Sequence, residues 1–385
     1  MTGARVFFYV QHLLGIGHLR RAATIARALI GAGLDVTVVS GGGGIPGLDL
    51  GGAAFVQLSA TRAADLYFKK LLDEDGKPID DAWRARRSAA VLAAFETCDP
   101  HVCIFELFPF GRRQMRFELL PVLEAAGTRA SRPVIVSSVR DILVAQNKPE
   151  RNDEMLGLVE RYFDHVLVHG DPEFFGFERT FPHAARIAGK IQYTGYVVDR
   201  SGKDVVSSAG TGEVIVSTGG GAVGLDLLRM AMAARPMTAL AKHTWRVLVG
   251  VNVADSDYAE IAGLATLGIV VERARSDFPA LAANCALSIS QGGYNTLMEL
   301  LEGGTRCVIV PYAGGVETEQ TLRVREIAKR TPIQVLDEAT LTPEAIANAA
   351  AAAMAGPPPD NREIKTRGAE ESARLVGEWA NALPW

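Results

Sequence analysis

Apolar runs that stop at glycines constrain the fold of this 385-residue sequence more than any other feature. Ala286–Ser290 is such a run, and it ends at Gly292 and Gly293 before a helical pattern that includes Glu299. Arg5–Val10 leads through a glycine loop into a second helical pattern in the same way. A buried strand that turns directly into a helix is typical of parallel α/β sheets. Both halves are therefore predicted to be α/β domains.

The first half begins with one βαβ unit. Its helix ends at Gly31–Gly33, and Asp35–Ser40 forms the second strand. The loop Gly15–His18 has glycines where a dinucleotide-binding turn would have them. It lacks the third glycine, and the second strand ends in Ser40 and not in the acidic residue that would hold an adenosine ribose. The pattern therefore does not favour NAD binding.

His18 is the predicted general base. It lies in the first helical turn, which faces the carboxyl ends of the strands, and an imidazole ordinarily titrates near neutral pH. It could there take a proton from an acceptor hydroxyl. Glu106 and Asp141 each follow a predicted strand and are expected to orient His18 or that hydroxyl. The alternatives are a loop hydrogen bond for His18 and helix capping for the two carboxylates.

A third glycine cluster opens the second half, after the predicted strand Glu213–Thr218. Backbone approaches a phosphate closely only where side chains are absent. The predicted diphosphate contacts are therefore Ser217, Thr218, Gly219, Gly220 and Gly221. The alternative is that these glycines only permit tight strand-helix packing. No Gly-x4-Gly-Lys-Ser/Thr pattern occurs, which excludes a P-loop kinase or ATPase.

The helix after Gly293 offers free N–H groups and a positive dipole end to an anion. Glu299 lies on that helix, where its carboxylate could accept hydrogen bonds from a ribose diol. After the next strand, the exit loop carries Glu317, Glu319 and Gln320. Carboxylates and amides together suit a polyhydroxylated ligand. The segment therefore predicts a nucleotide-sugar site.

These residues resemble the donor half of the GT-B glycosyltransferases, in particular glycosyltransferase family 28, whose best known member adds N-acetylglucosamine to the peptidoglycan lipid intermediate. The resemblance implies that Glu299 holds the ribose and that Glu319 and Gln320 hold the donor sugar. Glu319 stands where that relative has Gln, so the sugar is not specified. Backbone groups of Ala274 and Arg275 are implied contacts of the uracil. The other predicted donor-binding residues are Gly17, Gln291, Gly292, Gly293, Asn295 and Thr296.

The resemblance also implies the architecture: an α/β protein with two Rossmann-like domains that face each other across a cleft. The predicted boundaries are residues 1–195 for the acceptor-side domain, 196–212 for a linker and 213–360 for the nucleotide-sugar domain. Residues 361–385 are expected to form a helix that crosses back to the first domain.

The amino-acid composition limits the classes of partner and the cellular location expected for this chain. A net charge of −4 argues against nucleic acid, because neutralising phosphates requires a basic surface. No apolar stretch reaches the ~18 residues of a membrane span and no signal peptide precedes the first strand, so a cytoplasmic location is expected. The 4 cysteines lack metal-binding spacing and are expected to be reduced core residues.

No metal or other cofactor is predicted, since the nucleotide sugar is itself a substrate. Asp255–Asp257 and Asp73–Asp75 have the Asp-x-Asp form that other glycosyltransferase folds use to bind a metal-diphosphate. Both are expected to be solvated loops, because helix dipoles and backbone amides can neutralise the leaving diphosphate.

The acceptor is an unknown hydroxyl compound, either lipid-linked or a saccharide. Phe105–Phe110 and the following Arg112, Arg113 and Arg116 combine aromatic and basic side chains. This combination would suit a peripheral contact with the inner face of the membrane. The favoured interpretation is that Leu107, Phe108 and Phe110 fill the core while the arginines solvate a helix face.

The sequence therefore predicts an inverting, metal-independent glycosyltransferase with a nucleoside diphosphate donor, UDP-linked. Two alternatives stay open. The first is a nucleotide-sugar hydrolase or epimerase of the same fold, because the Gly17-His18-x-x-Arg21 loop of this chain resembles the first loop of such hydrolases. The second is a non-catalytic nucleotide-sugar sensor, which would keep the donor pocket without turnover.

Overall fold

The computed structural model describes residues 3–13, 16–45, 47–64, 70–144, 149–200, 208–221, 223–314, 318–360, 362 and 364–382. Two compact units are present. The first comprises Met1–Val197 with Arg367–Trp385, and the second comprises Val198–Thr366. These divisions lie a few residues from the boundaries predicted at 195 and 360, while residues 201–207 of the predicted linker lie outside the described ranges.

A parallel sheet forms the centre of the first unit. The strands and helices described for this unit are β1 Arg5–Val10, α1 Gly17–Gly31, β2 Asp35–Ser40, β3 Ala54–Gln57, β4 Arg62–Ala63, β5 Leu71–Leu72, α2 Asp81–Cys98, β6 Val102–Glu106, α3 Arg116–Thr128, β7 Val134–Arg140, α4 Pro149–Tyr162, β8 His165–His169, β9 Ile191–Tyr193 and α11 Gly368–Asn381. The sheet has the order β3-β2-β1-β6-β7-β8-β9, and β4 and β5 form a separate antiparallel pair.

The packing of β1 on both faces of the sheet explains why its sequence is an almost unbroken apolar run. Phe7 and Tyr9 belong to one hydrophobic core, whereas Phe8 belongs to a second core on the opposite face of the sheet. A central parallel strand that is covered on both faces needs apolar residues at every position. The second core also contains Leu29 of α1 and Val376 of α11, so the C-terminal helix packs in the first unit.

The second unit is also built on a parallel sheet. The strands and helices described for it are β10 Val214–Ser217, α5 Leu225–Ala234, β11 Trp245–Val249, α6 Asp255–Gly263, β12 Ile269–Arg273, α7 Phe278–Asn284, β13 Leu287–Gln291, α8 Tyr294–Glu302, β14 Cys307–Val310, α9 Glu319–Ala328, β15 Gln334–Val335 and α10 Pro343–Ala355. The strand order is β12-β11-β10-β13-β14-β15. Parallel α/β structure in both units confirms the predicted fold class.

The strand order reverses at an equivalent place in each sheet. In the first unit the reversal lies between β1 and β6, and in the second it lies between β10 and β13. Open α/β sheets bind ligands at such switch points, outside the carboxyl ends of the strands. The residues that directly follow these four strands are therefore the first candidates for function.

One element boundary needs correction, whereas the region Thr61–Arg87 is helical in part, as its sequence predicts. The strands β4 and β5 occupy its first part, and Asp80 starts α2 by accepting a hydrogen bond from the N–H of Trp83 at 2.7 Å. Its Leu66–Phe68 lies outside the described residues. The last helix begins at Gly368 and not at the predicted residue 361, and the N–H of this first helical residue donates to the Tyr196 carbonyl at 2.9 Å.

Candidate active site

His18 and Glu106 meet at the switch point of the first unit. His18 is in the first turn of α1, and Glu106 is the last residue of β6. Nδ1 of His18 lies 2.9 Å from Oε1 of Glu106. The His18 side chain is 13% exposed and the Glu106 side chain is 0% exposed. The structure thus brings a buried carboxylate to the predicted base, as one of the two expected orienting residues.

The protonation states follow from this environment. Burial, together with the charge of Arg112, lowers the pKa of His18 well below its ordinary value, although the hydrogen bond with Glu106 opposes the shift. Burial would raise the pKa of Glu106, but Arg21, His18 and Ser138 together hold that pKa well below its ordinary value. An ionised carboxylate only accepts hydrogen bonds, so Nδ1 of the neutral imidazole carries the proton and Nε2 carries the lone pair. The imidazole is therefore in the state that can accept a proton.

Glu106 belongs to a chain of buried polar groups that crosses four adjacent strands. Oγ of Ser138 lies 2.7 Å from the second oxygen of Glu106 and 2.9 Å from Nε2 of His169. Nδ1 of His169 lies 2.8 Å from Oγ1 of Thr194, directly after β9. His18, Glu106, Ser138, His169 and Thr194 thus form one hydrogen-bonded row along the carboxyl edge of the sheet.

The donors in this row can be assigned from Glu106. Because Glu106 only accepts, the single hydroxyl proton of Ser138 points to it, and the Ser138 oxygen accepts from Nε2–H of His169. Burial and the charge of Arg21 lower the pKa of His169 to about 3, so that ring is neutral. Its Nδ1 lies 2.8 Å from Oγ1 of Thr194, whose hydroxyl also lies 2.8 Å from the Gly195 carbonyl. The row therefore fixes the orientation of Glu106 and keeps it ionised.

Arg21 is the counter-charge of Glu106. Its guanidinium donates to Oε1 of Glu106, and the two side chains are 2% and 0% exposed. The site prediction omitted Arg21, although its spacing of three residues from His18 places both side chains on one face of α1. Asp141, the other expected orienting residue, is buried and accepts the N–H of Ile142 at 2.9 Å.

The predicted membrane-contact segment is not an exposed apolar surface. Phe108 and Phe110 are 0% and 3% exposed and belong to the first core. Arg113 and Arg116 both pair with Glu154. The aromatic residues are buried because they fill the space between β6 and the segment that contains Phe177, whose ring lies 5.2 Å from that of Phe110. Among the helices of the described residues, none combines the length and apolar character that crossing a bilayer requires.

In the second unit, the glycine turn follows β10 as predicted from the strand-glycine pattern. Ser217 ends the strand, and its Oγ accepts the N–H of Gly219 at 3.1 Å. The carbonyl of Gly220 accepts from the Asn252 side chain at 3.1 Å. A Cβ on Gly250 would lie 1.9 Å from the carbonyl oxygen of Gly221, so only glycine allows the loop after β11 to approach the turn this closely.

Two buried polar atoms beside this turn have no hydrogen-bond partner within the described part of the chain. They are Oγ1 of Thr218 and Nε2 of Gln291, in residues that are 4% and 5% exposed. A Cβ on Gly224, whose φ is 90°, would lie 2.4 Å from Nε2 of Gln291 and 2.8 Å from Cγ2 of Thr218, so the two side chains flank one point. Unsatisfied buried polar groups are rare and indicate a partner such as a ligand.

The helix α8 begins at the same edge. Gly292 and Gly293 connect β13 to it, and Gly293 is the N-cap, with no side-chain cap to the first turn. A Cβ on Gly219 would lie 3.7 Å from Oγ1 of Thr296, which places the glycine turn next to the start of α8. Asn295, Thr296 and Glu299 are half-buried on this helix. The predicted diphosphate and ribose residues therefore lie on adjacent elements.

The predicted sugar-binding pair has two different environments. Glu319 is 3% exposed and its carboxylate pairs with Arg323 at 2.8 Å, one helical turn further on. Arg323 in turn lies over the ring of Tyr294, 5.0 Å from its centroid. Oε1 of Gln320 accepts the N–H of Tyr312 at 3.0 Å. This bond fixes the Gln320 amide, whereas Glu319 is committed to an internal ion pair. Glu317 lies outside the described residues.

The predicted base-binding segment follows β12. The N–H of Ala274 donates to the Val249 carbonyl at 2.7 Å, so this N–H is engaged in extending the sheet. The side chain of Arg275 pairs with Asp277, with Nε 2.8 Å from Oδ1. A base at this position would have to use other backbone groups of the segment.

The two Asp-x-Asp triplets differ in local structure. Asp73 accepts the N–H groups of Asp75 at 3.0 Å and Lys77 at 2.8 Å, which closes a local turn. Asp255 begins α6 and pairs with Arg273 of β12. The second triplet therefore lies in the first turn of a helix and not in the loop that the sequence predicts. In the described residues, no group of three or more His, Cys, Asp or Glu side chains is arranged to hold a metal ion.

Comparison with known proteins agrees with this geometry. Residues 215–376 match the glycosyltransferase family 28 C-terminal domain. Three solved structures with similar folds are the glycotransferase of kitacinnamycin (14% identity, 99% of this chain and 100% of that chain, TM-score 0.62), the MurG protein of Acinetobacter baumannii (15%, 97% and 99%, 0.56) and the spinosyn rhamnosyltransferase SpnG complexed with thymidine diphosphate (16%, 99% and 97%, 0.57). No curated protein was matched by sequence.

The matched domain begins in β10 and spans the glycine turn, α8 and the Glu319–Gln320 pair. This match supports a glycosyltransferase activity, and together with the shared fold it confirms the resemblance inferred from the sequence. The chain thus has the fold of the GT-B glycosyltransferases, and its residues 215–376 match the family 28 C-terminal domain.

Proposed function

We propose that this chain is an inverting, metal-independent glycosyltransferase that moves a sugar from a UDP-linked donor to a hydroxyl acceptor. The observation that carries the proposal is the 2.9 Å contact of His18 Nδ1 with Glu106, which leaves the Nε2 lone pair to accept a proton. Glu106 stabilises the imidazolium that forms, and it stays ionised throughout because Arg21 and Ser138 hold it.

The donor is held by the second unit. The backbone N–H groups of the Gly219–Gly221 turn and of the start of α8 act as fixed dipoles that stabilise the negative charge developing on the leaving diphosphate. In this scheme they take the place of a metal ion. Thr218 and Gln291 supply the unpartnered polar atoms that a diphosphate would use. Glu299 accepts from the ribose hydroxyls. One fold neighbour is complexed with thymidine diphosphate, which supports a pyrimidine nucleotide.

The reaction is a single displacement. His18 takes the acceptor hydroxyl proton while the acceptor oxygen bonds to the anomeric carbon, and the bond from that carbon to the diphosphate breaks. Attack from the face opposite the leaving group inverts the anomeric configuration. The Gln320 amide, fixed through Oε1, offers Nε2 to a sugar hydroxyl. Glu319 is not assigned a sugar contact, because its carboxylate pairs with Arg323.

The test is transfer by the full-length chain from UDP-glucose, UDP-N-acetylglucosamine, UDP-galactose and TDP-glucose to a panel of alcohols, with product anomers determined by NMR. We expect an inverted product, unchanged by EDTA. His18→Ala should lower kcat by about 10³-fold, the usual scale for removing a general base. His183→Ala removes a surface histidine that pairs with Asp153 and should leave kcat unchanged.

Three outcomes would reject parts of this scheme. A retained anomeric configuration contradicts direct displacement, and wild-type turnover by His18→Ala contradicts the base assignment. Rapid release of free sugar without an acceptor would favour the hydrolase alternative.

A further inference from the structure

The loop after β6 ends in a residue with unusual backbone geometry. Leu107 has a φ of 67° and Arg112 has a φ of 56°. Residues other than glycine seldom adopt such angles, and they persist only where surrounding structure holds them. The loop begins directly after Glu106 and ends in Arg112, so the strained backbone connects the partner of His18 to a guanidinium group.

Arg112 differs from the arginines around it in its partners. Nε donates to the Gln11 carbonyl at 2.7 Å, and within the described residues this is its only side-chain hydrogen bond. Arg21 pairs with Glu106 and Arg113 pairs with Glu154, but no carboxylate described in the structure pairs with Arg112. Its two terminal nitrogens, which carry four donor hydrogens, therefore have no protein acceptor among the described groups.

The surroundings of Arg112 carry surplus positive charge. Burial and the charge of Arg112 lower the pKa values of both His12 and His18. Burial, together with the charge of Arg140, lowers the pKa of Arg112 to about 10. Glu106 opposes this effect from a distance, but its carboxylate is already paired with Arg21.

His12 gives a second, independent indication of a ligand. The side chain is 7% exposed, and its Nδ1 has no hydrogen-bond partner in the part of the chain that the structure describes. His12 directly follows Gln11, whose carbonyl holds Arg112. A partly buried guanidinium and an unsatisfied imidazole nitrogen are thus brought together directly after β1, the strand that leads into the helix of His18. Carboxylate and phosphate oxygens are the groups that guanidinium donors bind best.

We propose that Arg112 binds an anionic group, a carboxylate or a phosphate, on the acceptor whose hydroxyl is deprotonated by His18. This inference rests on the proposed transfer reaction and specifies its acceptor class: hydroxy acids or phosphorylated alcohols. The donor diphosphate is the other possible source of anionic oxygens. The second unit already supplies hydroxyl, amide and helix N-terminal donors for that group, whereas Arg112 belongs to the unit that carries the base.

The first measurement is a calorimetric titration of the full-length chain with inorganic phosphate at constant ionic strength and saturating UDP. Arg112→Gln should raise the Kd for phosphate by about tenfold or more, since charge-assisted hydrogen bonds are lost. Arg112→Lys keeps the charge without the forked donors and should give an intermediate Kd. Arg113→Gln, at the adjacent exposed arginine, should bind phosphate as the wild type does. An equal Kd in all four proteins, or displacement of phosphate by UDP, would overturn the proposal.

The second measurement uses matched acceptors, a hydroxy acid and its methyl ester. Wild-type kcat/KM should be about tenfold or more higher for the acid, and Arg112→Gln should reduce the ratio to near one while Arg113→Gln preserves it. Equal use of acid and ester by the wild type would overturn the proposal. Failure of the transfer reaction itself would appear as no turnover with any acceptor, and the phosphate titration would still decide whether Arg112 binds an anion.

Discussion

The two units share a sheet topology but fill its switch point with different chemistry. In the first unit, titratable side chains meet there: His18, Glu106, Arg21 and His169. In the second unit, the equivalent place holds glycines, hydroxyls and an amide, represented by Gly219, Thr218 and Gln291. Under the proposed function, one strand order would thus provide a proton-transfer site in one half and a neutral, dipole-rich anion site in the other.

The shared sheet topology determines where a site lies, whereas the residues that follow the strands determine the chemistry of that site. Topology selects the position of a site, because polar backbone ends converge where the strand order reverses. Ionisable groups can be buried there only if they are paired, as Glu106 is with Arg21. The second unit avoids that cost by presenting backbone donors. Substitutions at the first switch point are therefore expected to lower kcat, and substitutions at the second are expected to weaken nucleotide binding.

After His18→Ala itself, the largest effect is expected for Glu106→Gln. Loss of the carboxylate removes the partner of His18 and leaves Arg21 buried without a counter-charge. We expect kcat to fall by about 10²-fold or more and the free energy of unfolding to fall by about 3 kcal/mol. UDP binding, measured calorimetrically, should be unchanged because it belongs to the second unit. Glu154→Gln, at a half-buried carboxylate near the surface with two arginine partners, should cost at most about 1 kcal/mol and leave kcat intact.

The pH dependence of stability gives Glu106→Gln a second readout. The folded-state pKa of Glu106 is lowered, so its contribution is fully present above the ordinary carboxyl range and is lost as the pH falls through the folded-state value. The stability difference between the wild type and the variant should therefore be constant from about pH 6 to 8 and narrow below about pH 4. A difference that widens in acid would show that Glu106 is protonated in the folded protein.

A moderate effect in the opposite unit is expected for Thr218→Val. The hydroxyl has no partner among the described residues, so its removal should not reduce thermal stability. If it binds the diphosphate, the Kd for UDP should rise by about tenfold. Thr305→Val is the matched control, because the Thr305 hydroxyl donates to the Ala282 carbonyl at 2.7 Å. That variant should lose stability and keep UDP affinity. Unchanged UDP affinity in Thr218→Val would remove Thr218 from the donor site.

The smallest effect is expected for Ser138→Ala, which removes one donor from Glu106. With one donor fewer, the carboxylate charge stabilises the His18 imidazolium more strongly. The acid limb of the kcat/KM profile should therefore move to higher pH by a few tenths of a unit. Ser137→Ala is the control, since the adjacent buried serine donates to the Phe108 carbonyl at 2.8 Å and not to Glu106. Identical pH profiles of kcat/KM for the two variants would show that the hydrogen-bonded row contributes to packing and does not influence His18.

Local pattern was sufficient to predict the βαβ units, the glycine turns and the His18 loop. These features depend on residues that are close in sequence, where strand, glycine and helix signals follow one another. The strand β11 was not predicted, because Arg246 interrupts its apolar run. The structure explains that charge: Arg246 pairs with Glu213 at 2.6 Å and with Glu272 at 3.0 Å on neighbouring strands.

The row behind His18 could not be read from the sequence. Ser138 meets Glu106 because β6 and β7 pair in that register, and His169 meets Ser138 from the next strand. Register between distant strands leaves no local signal in a single sequence. Glu319 shows the opposite problem. Its position in the sequence suited a sugar contact, but its carboxylate forms an ion pair with Arg323, four residues later. Composition alone cannot decide between a ligand and an internal partner.

The position of α11 has a consequence for how the protein is made. This helix packs against α1, which carries His18 and Arg21, yet the entire second unit separates the two helices along the chain. During translation, the ribosome must therefore complete residues 198–366 before α11 can pack against α1 and complete this core. The half of the molecule that emerges first is the half whose folding finishes last.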